Sequence, residues 1–198
     1  MDLADEQGLE ALTMRELGRR LGVEAASLYN HVSGKDDLLD GMVEQVVSQI
    51  DVPGEGVAWK EAMRRRAVSA RAVFARHRWA AGLVDSRERS GPGSLSYADQ
   101  VLGTLLRAGF SPRVAGNAFL ALDSYIYGYE RQRSHLSLGG EEDDSQAAGG
   151  VLEAALGAFP SLSLVATEYA SEPFDDDAAF AFGLGLILDG LRRLLETD

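Results

Sequence analysis

Between residues 15 and 35 the chain carries side chains suited to reading a duplex polyanion. Ala25, Ala26 and Ser27 are small enough to let a backbone approach the floor of a major groove. Ser27, Asn30 and His31 add hydroxyl, amide and imidazole groups with the reach to meet base edges, and Tyr29 adds a phenol that can meet a phosphate. Arg15 precedes this set, and its guanidinium suits a guanine edge or a phosphate. Lys35 follows it, where an ammonium and the free N–H groups of a starting helix suit a phosphate. Nothing comparable points to catalysis. There is no G-x-S-x-G, no phosphate-cradling glycine loop and no HExxH, and the absence of cysteine excludes a disulfide framework, a thiolate metal site and a cysteine nucleophile. Adjacent acids such as Asp36 and Asp37 read as first-turn helix charges.

The elements that must position these groups are legible from local signals. Thr13 is a good N-cap, with Glu16 at capping-box spacing, and Gly22 is a good left-handed stop, so a short helix spans Met14 to Leu21. A second short helix is expected from about Ala25 to His31. Leu17, Leu21, Val23 and Leu28 are placed to pack the pair together as a helix-turn-helix. Ser33 and Gly34 turn the chain into a longer helix from about Lys35 to Ile50, with Leu38, Leu39, Met42, Val43, Val46 and Val47 at helical spacing.

The remainder also reads as helix, which makes the fold class all-α. Strand-like alternation and internal repeats are absent, and the prolines fall in or beside connectors. Helices are expected over about 57–74, 79–85, 94–108, 112–132 and 151–159, ending at Pro160. A last helix is opened by Asp175, Asp176 and Asp177 and closed near Arg192 and Arg193, both suited to the macrodipole. Residues 86–94 read as a loop, and the acidic, glycine-rich centre of 134–150 as a mobile one. The organisation expected is an N-terminal three-helix domain over 1–50 and a helical domain over 51–198.

Charge qualifies this picture. The chain of 198 residues has a net charge of −12, which by itself argues against a nucleic-acid coat. Residues 1–50 hold 4 Lys and Arg against 10 Asp and Glu, whereas 51–100 hold 9 against 6. The triplet Arg64, Arg65 and Arg66 reads as a solvated helix face. No run of 18 apolar residues and no secretory leader are present, so a cytoplasmic protein without a membrane partner is expected.

The segment LTMRELGRRLGVEAASLYNHVSGKDDLLDGM resembles the DNA-binding domain of the tetracycline-repressor (TetR) family, most specifically at Leu28-Tyr29-Asn30-His31-Val32 with Lys35 and Leu38-Leu39. The Arg107 to Ser111 turn and the Ala181 to Leu191 helix are similar to that family's regulatory domain. The resemblance implies a homodimeric regulator, mostly a repressor, that leaves its DNA operator when a small molecule binds the C-terminal domain. It places Arg15, Ala25, Ala26 and Ser27 toward bases, Tyr29, His31 and Lys35 toward phosphates, and Asn30 toward either. Relative to the family the first helix starts late, with only Met1 to Gln7 ahead of the motif, which implies a short first helix or a start further upstream. The stretch Ala80 to Asp85 lacks the histidine with which the family's tetracycline sensors hold magnesium, so no metal or cofactor is expected.

An effector site is expected among Phe74, His77, Trp79, Leu102, Phe119, Asp123 and Tyr127, because drug-sized ligands favour apolar pockets with a few polar anchors. Asp123 serves there either as an anchor or in a structural hydrogen bond, and His77 either lines the pocket or ends a helix. Gly183, Gly185 and Gly190 each weaken the last helix by about 1 kcal/mol relative to Ala, which close helix–helix approach in a dimer bundle of 112–132 and 176–196 would offset. The competing reading is a helical protein-interaction module that does not bind DNA.

Overall fold

The computed structural model describes residues 1–86, 91–138, 158–171 and 175–196. Among them every regular element is a helix, and no helix is long and apolar enough to cross a membrane. The head comprises α1 (Asp2–Ala11), α2 (Met14–Leu21), α3 (Ala25–Leu28) and α4 (Lys35–Val47). The body comprises α5 (Trp59–Arg76), α6 (Ala80–Ser86), α7 (Pro92–Arg107), α8 (Pro112–Leu138), α9 (Pro160–Ser171) and α10 (Asp176–Leu195).

Two cores hold these helices. Leu3, Ala4, Leu12, Leu39 and Met42 form the small core of the head. Val43, Val46 and Val47 of α4 belong instead to the large core, with Met63, Phe74, Val101, Leu105, Leu122, Ile126, Phe180 and Leu184. One helix therefore serves both. Its stripe of apolar residues at helical spacing is long enough to roof the head and still lie on the body. Trp79 and Leu83 reach back from the body onto the head core.

Local signals set most boundaries. Thr13 Oγ1 accepts from Glu16 N at 3.1 Å, but the Glu16 carboxylate is taken by Arg19, so only one arm of the expected capping box forms. Gly22 stops α2 in the left-handed region at φ 70. The α-helical part of α3 is shorter than expected. Beyond Leu28 the chain continues in turns, with Asn30 and His31 donating to the carbonyls three residues back.

α7 starts at Pro92 rather than at Ser94, because proline suits a first helical turn. α8 runs beyond the expected end to Leu138. Pro160 opens a helix, α9, where the sequence reading had it end one. The helix expected over 151–159 lies outside the described residues except at Ala158 and Phe159, which are not helical. The centre of the acidic loop also lies outside them. Asp175 caps α10 by accepting from Ala178 N at 2.9 Å.

Candidate nucleic-acid interface and regulatory cavity

α2 and α3 meet at a glycine. A Cβ on Gly18 would lie 2.9 Å from the Val23 carbonyl oxygen and 3.1 Å from Ala25 N, so the second short helix is set by direct backbone approach. The apolar residues expected to clamp the pair do so only in part. Leu17 and Leu28 are half-buried, whereas Leu21 and Val23 are exposed, at 60% and 44%. Gly18 does the work assigned to them.

The groups read as DNA contacts share this unit. Arg15, Ala26, Tyr29, Asn30, His31 and Lys35 are exposed, and Ala25 and Ser27 are half-buried. Of the three arginines on α2, Arg19 pairs with Glu16 and Arg20 with Glu6, while Arg15 has no partner among the described residues. The two paired arginines have their charge matched by neighbouring carboxylates. Arg15 keeps a full complement of donors for an external acceptor. Ser27 donates its hydroxyl to the Glu24 carbonyl at 2.7 Å, which leaves its lone pairs to accept. Lys35 Nζ lies 3.4 Å from the Leu9 carbonyl, at the C-terminal end of α1, and stays exposed.

In the body, a cavity of about 210 Å³ opens between α4, α6, α7 and α8. It brings together Phe119, Asp123 and Tyr127 of the expected set and adds Ser94 and Tyr97 from α7. Behind its wall sits Arg66, 1% exposed. Arg66 donates through Nε to the Tyr97 hydroxyl at 2.6 Å and through Nη2 to Asp123 Oδ1, and its guanidinium lies over the Tyr97 and Phe119 rings. Its Nη1 is buried with no hydrogen-bond partner among the described residues. Burial pushes the Tyr97 phenol up to about 12 against the pull of Arg66, and burial and the Asp123 charge push Tyr127 higher as well. Both phenols are therefore neutral near pH 7. The triplet read as a solvated face is thus divided: Arg64 and Arg65 pair with Glu61 on the surface, and Arg66 is internal.

The remaining expected pocket residues lie elsewhere. His77 and Trp79 are at the joint between head and body. His77 Nδ1 lies 2.8 Å from Asp5 Oδ1, and Trp79 Nε1 donates to the same oxygen at 2.6 Å. They tie α1 to the end of α5 instead of lining the cavity. Phe74 packs edge-on behind Tyr127, with centroids 5.3 Å apart, and Leu102 packs against the large core. A larger apolar groove of about 620 Å³, which the sequence reading missed, runs between α5 and α10. It is edged by Arg71, whose guanidinium bonds Asp176 and Asp177 at the start of α10.

The glycines of α10 differ among themselves. Gly183 lies hard against the Tyr125 ring, where a Cβ would fall 2.8 Å from Cζ, while among the described residues nothing comes within 4 Å of where a Cβ on Gly185 or Gly190 would lie. Large apolar side chains are exposed on the same pair of helices: Leu120 on α8, and Phe182 and Leu186 on α10.

Comparison with known proteins agrees with this geometry. The model of bacterial regulatory proteins of the tetR family matches residues 1–42, and that of tetracyclin repressor-like C-terminal domains matches residues 52–195. The HTH-type transcriptional repressor DrrR1 of Streptomyces coeruleorubidus is 30% identical over 98% of this chain and 75% of its own length. The crystal structure of a possible TetR family transcriptional regulator from Streptomyces coelicolor A3(2) superposes with a TM-score of 0.80 at 34% identity, covering 98% of this chain and 95% of that one. The TetR family protein ActR of the same species, crystallised in complex with actinorhodin, superposes with a TM-score of 0.80 at 28% identity, covering 98% and 93%. With a two-helix reading unit at one end, a cavity-bearing helical body at the other and both domain matches in register with them, the chain belongs to the TetR family of transcriptional regulators.

Proposed function

We propose that the protein is a homodimeric repressor that binds a near-palindromic operator and leaves it when a small molecule enters the body. The observation that carries the reading is the set grouped on one close-packed two-helix unit: Arg15, without a partner among the described residues, small residues at the tip of α3, and exposed Tyr29, His31 and Lys35 around it. In this reading Arg15, Ala25, Ala26 and Ser27 face bases, Tyr29, His31 and Lys35 face phosphates, and Asn30 serves either role. Two such units in a dimer would enter successive major grooves about 34–36 Å apart. Residues 1–50 would form the DNA-binding domain and 51–198 the sensing and dimerising one. The protein would work in the cytoplasm, alongside the DNA, and carry out no catalysis.

The effector site in this reading is the cavity of Ser94, Tyr97, Phe119, Asp123 and Tyr127. Its lining sets Asp123, Ser94 and the Tyr97 and Tyr127 phenols in an apolar frame, which favours a largely apolar ligand with a few polar groups. The ligand acts by binding better to the dimer geometry that does not fit DNA.

A gel-shift titration of the protein against DNA from its own promoter region, at low and moderate salt, tests the reading. A specific shift that weakens with salt and survives competitor DNA is the expected result. Binding that is equal on unrelated DNA, or absent at both salts, would favour the protein-interaction module.

A further inference from the structure

Glu44 lies on α4, the helix that both cores share. Its carboxylate accepts from Gly91 N at 3.1 Å and Gly93 N at 2.6 Å, from Ser94 N at 3.1 and 3.2 Å, and from the Ser94 hydroxyl. These are the orphan donors at the start of α7, which a helix must satisfy from outside itself. The sequence there is shaped to the carboxylate. A Cβ on Gly91 would fall 2.6 Å from Glu44 Cδ, and one on Gly93 would fall 2.7 Å from Glu44 Oε2. A side chain at either position would push the carboxylate out.

The contact joins two walls of the cavity. Val43 and Val47, flanking Glu44 on α4, form one wall, while Ser94 and Tyr97 of α7 form another. A ligand that pushes these two walls apart would strain the Glu44 cap. α4 also carries Leu39 and Met42, which pack with Leu3, Ala4 and Leu12 around α1, and α1 is tied to α2 by the Glu6–Arg20 pair, so a shift of α4 reaches the reading unit through α1.

We propose that Glu44 is the positioning residue through which the cavity sets the orientation of the DNA-reading head, by stapling α4 to the first turn of α7. This rests on the effector reading above for its purpose, but not for its test. With the staple closed the head holds one orientation and binds operator. With it open the head samples several, and operator affinity falls.

The experiment needs no ligand. The chain has no cysteine, so spin labels go on Glu10→Cys in α1 and Arg113→Cys in α8, both exposed positions. The labelled chain is diluted into an excess of unlabelled chain, and the head-to-body distance is read by pulsed electron resonance in the parent, Glu44→Gln and Gly93→Ala. The first substitution attacks the staple from the head, and the second expels the carboxylate from the body side without changing charge. Both should broaden or shift the distance distribution and weaken operator binding by about tenfold, with the salt dependence unchanged because the phosphate contacts remain. Ser94→Ala, which keeps the backbone donors, should give a smaller change of the same kind and serves if either fuller disruption unfolds the chain.

Unchanged distances and affinity in folded variants would overturn the proposal. So would a lower melting temperature with the head in place, which would make Glu44 a structural cap only. Failure of this test leaves the effector site standing, since that fails separately if no ligand titrates the cavity.

Discussion

Arg66 is enclosed in the body with Asp123 as its counter-ion and the Tyr97 hydroxyl as its second acceptor. Truncating one member of such a pair leaves the other as an uncompensated buried charge. Asp123→Ala should therefore destabilise the fold by about 3–5 kcal/mol, while the double replacement Arg66→Met with Asp123→Leu should cost far less. Urea unfolding of the three proteins checks this. A loss under about 1 kcal/mol for Asp123→Ala would mean that water reaches the pair and that it behaves as a surface bridge.

How much of this was legible depends on the range of each signal. The Thr13 cap, the Gly22 stop and the small residues at 25–27 act within a few positions, and the reading unit follows from them. The glycine contact that joins its helices does not announce itself. Gly18 sits inside the helix with no local mark of its role, whereas Leu21 and Val23, apolar and beside the turn, invite the clamp reading but stand exposed at the end of α2 and just past it. Arg66 carried a readable signal. It falls three or four positions from Ala62, Met63 and Ala70, on the buried stripe of α5, but its place in an arginine triplet suggested a solvated face. The partners of Trp79 and Glu44 lie 74 and at least 47 residues away in the chain, and no local pattern encodes them.

Gly18→Ala tests whether backbone approach positions α3. The added methyl would meet the Val23 carbonyl at 2.9 Å, so α2 and α3 must part by several tenths of an ångström. Overpacking of this kind costs about 1–3 kcal/mol. Operator affinity should fall by more than the stability change accounts for, because the unit must match the groove. Parallel melting and gel-shift titrations separate the two effects, and an unaltered operator affinity would show that the helices do not depend on this contact.

Phe182 and Leu186 lie one turn apart on α10, 72% and 62% exposed, on the helix that also carries the open Gly185 and Gly190. Exposed apolar side chains so grouped favour burial against a partner. Leu186→Asp should shift the protein from dimer to monomer in sedimentation velocity and weaken operator binding, since one head cannot span two half-sites. A dimer that tolerates the charge would place the interface on another face.

Acid should open the Glu44 staple. Burial pushes this carboxyl up, but the Ser94 hydroxyl and the amides of Ser94, Gly93 and Gly91 outweigh it and hold the group below its ordinary 4.5. These α7 groups account for the hydrogen bonds to it among the described residues. A depressed carboxyl stabilises the fold above its unfolded pKa and loses that contribution as pH falls through the folded one. Stability of the parent should thus fall on acidification below about pH 4.5 more steeply than that of Glu44→Gln. Equal acid limbs in the two proteins would mean that the carboxylate is not held in its charged form.

The proposed DNA contacts divide into two kinds with different signatures. Tyr29→Ala and Lys35→Ala remove groups assigned to phosphates, which carry no sequence information, so each should weaken binding by a similar factor on every operator variant. Lys35→Ala should also reduce the salt slope by about one, because one fewer counter-ion is released. Arg15 is the α2 arginine with no carboxylate partner among the described residues, and Ser27 sits half-buried on the exposed side of α3 with lone pairs to spare. Arg15→Ala and Ser27→Ala should cost about 1–3 kcal/mol on the preferred operator and much less on variants changed at the contacted base pair. Affinity measured across a panel of single-base-pair operator variants reads both patterns at once. Uniform losses from all four substitutions would assign every one of these groups to the backbone, and would leave the base reading to Asn30 and the methyl groups of Ala25 and Ala26.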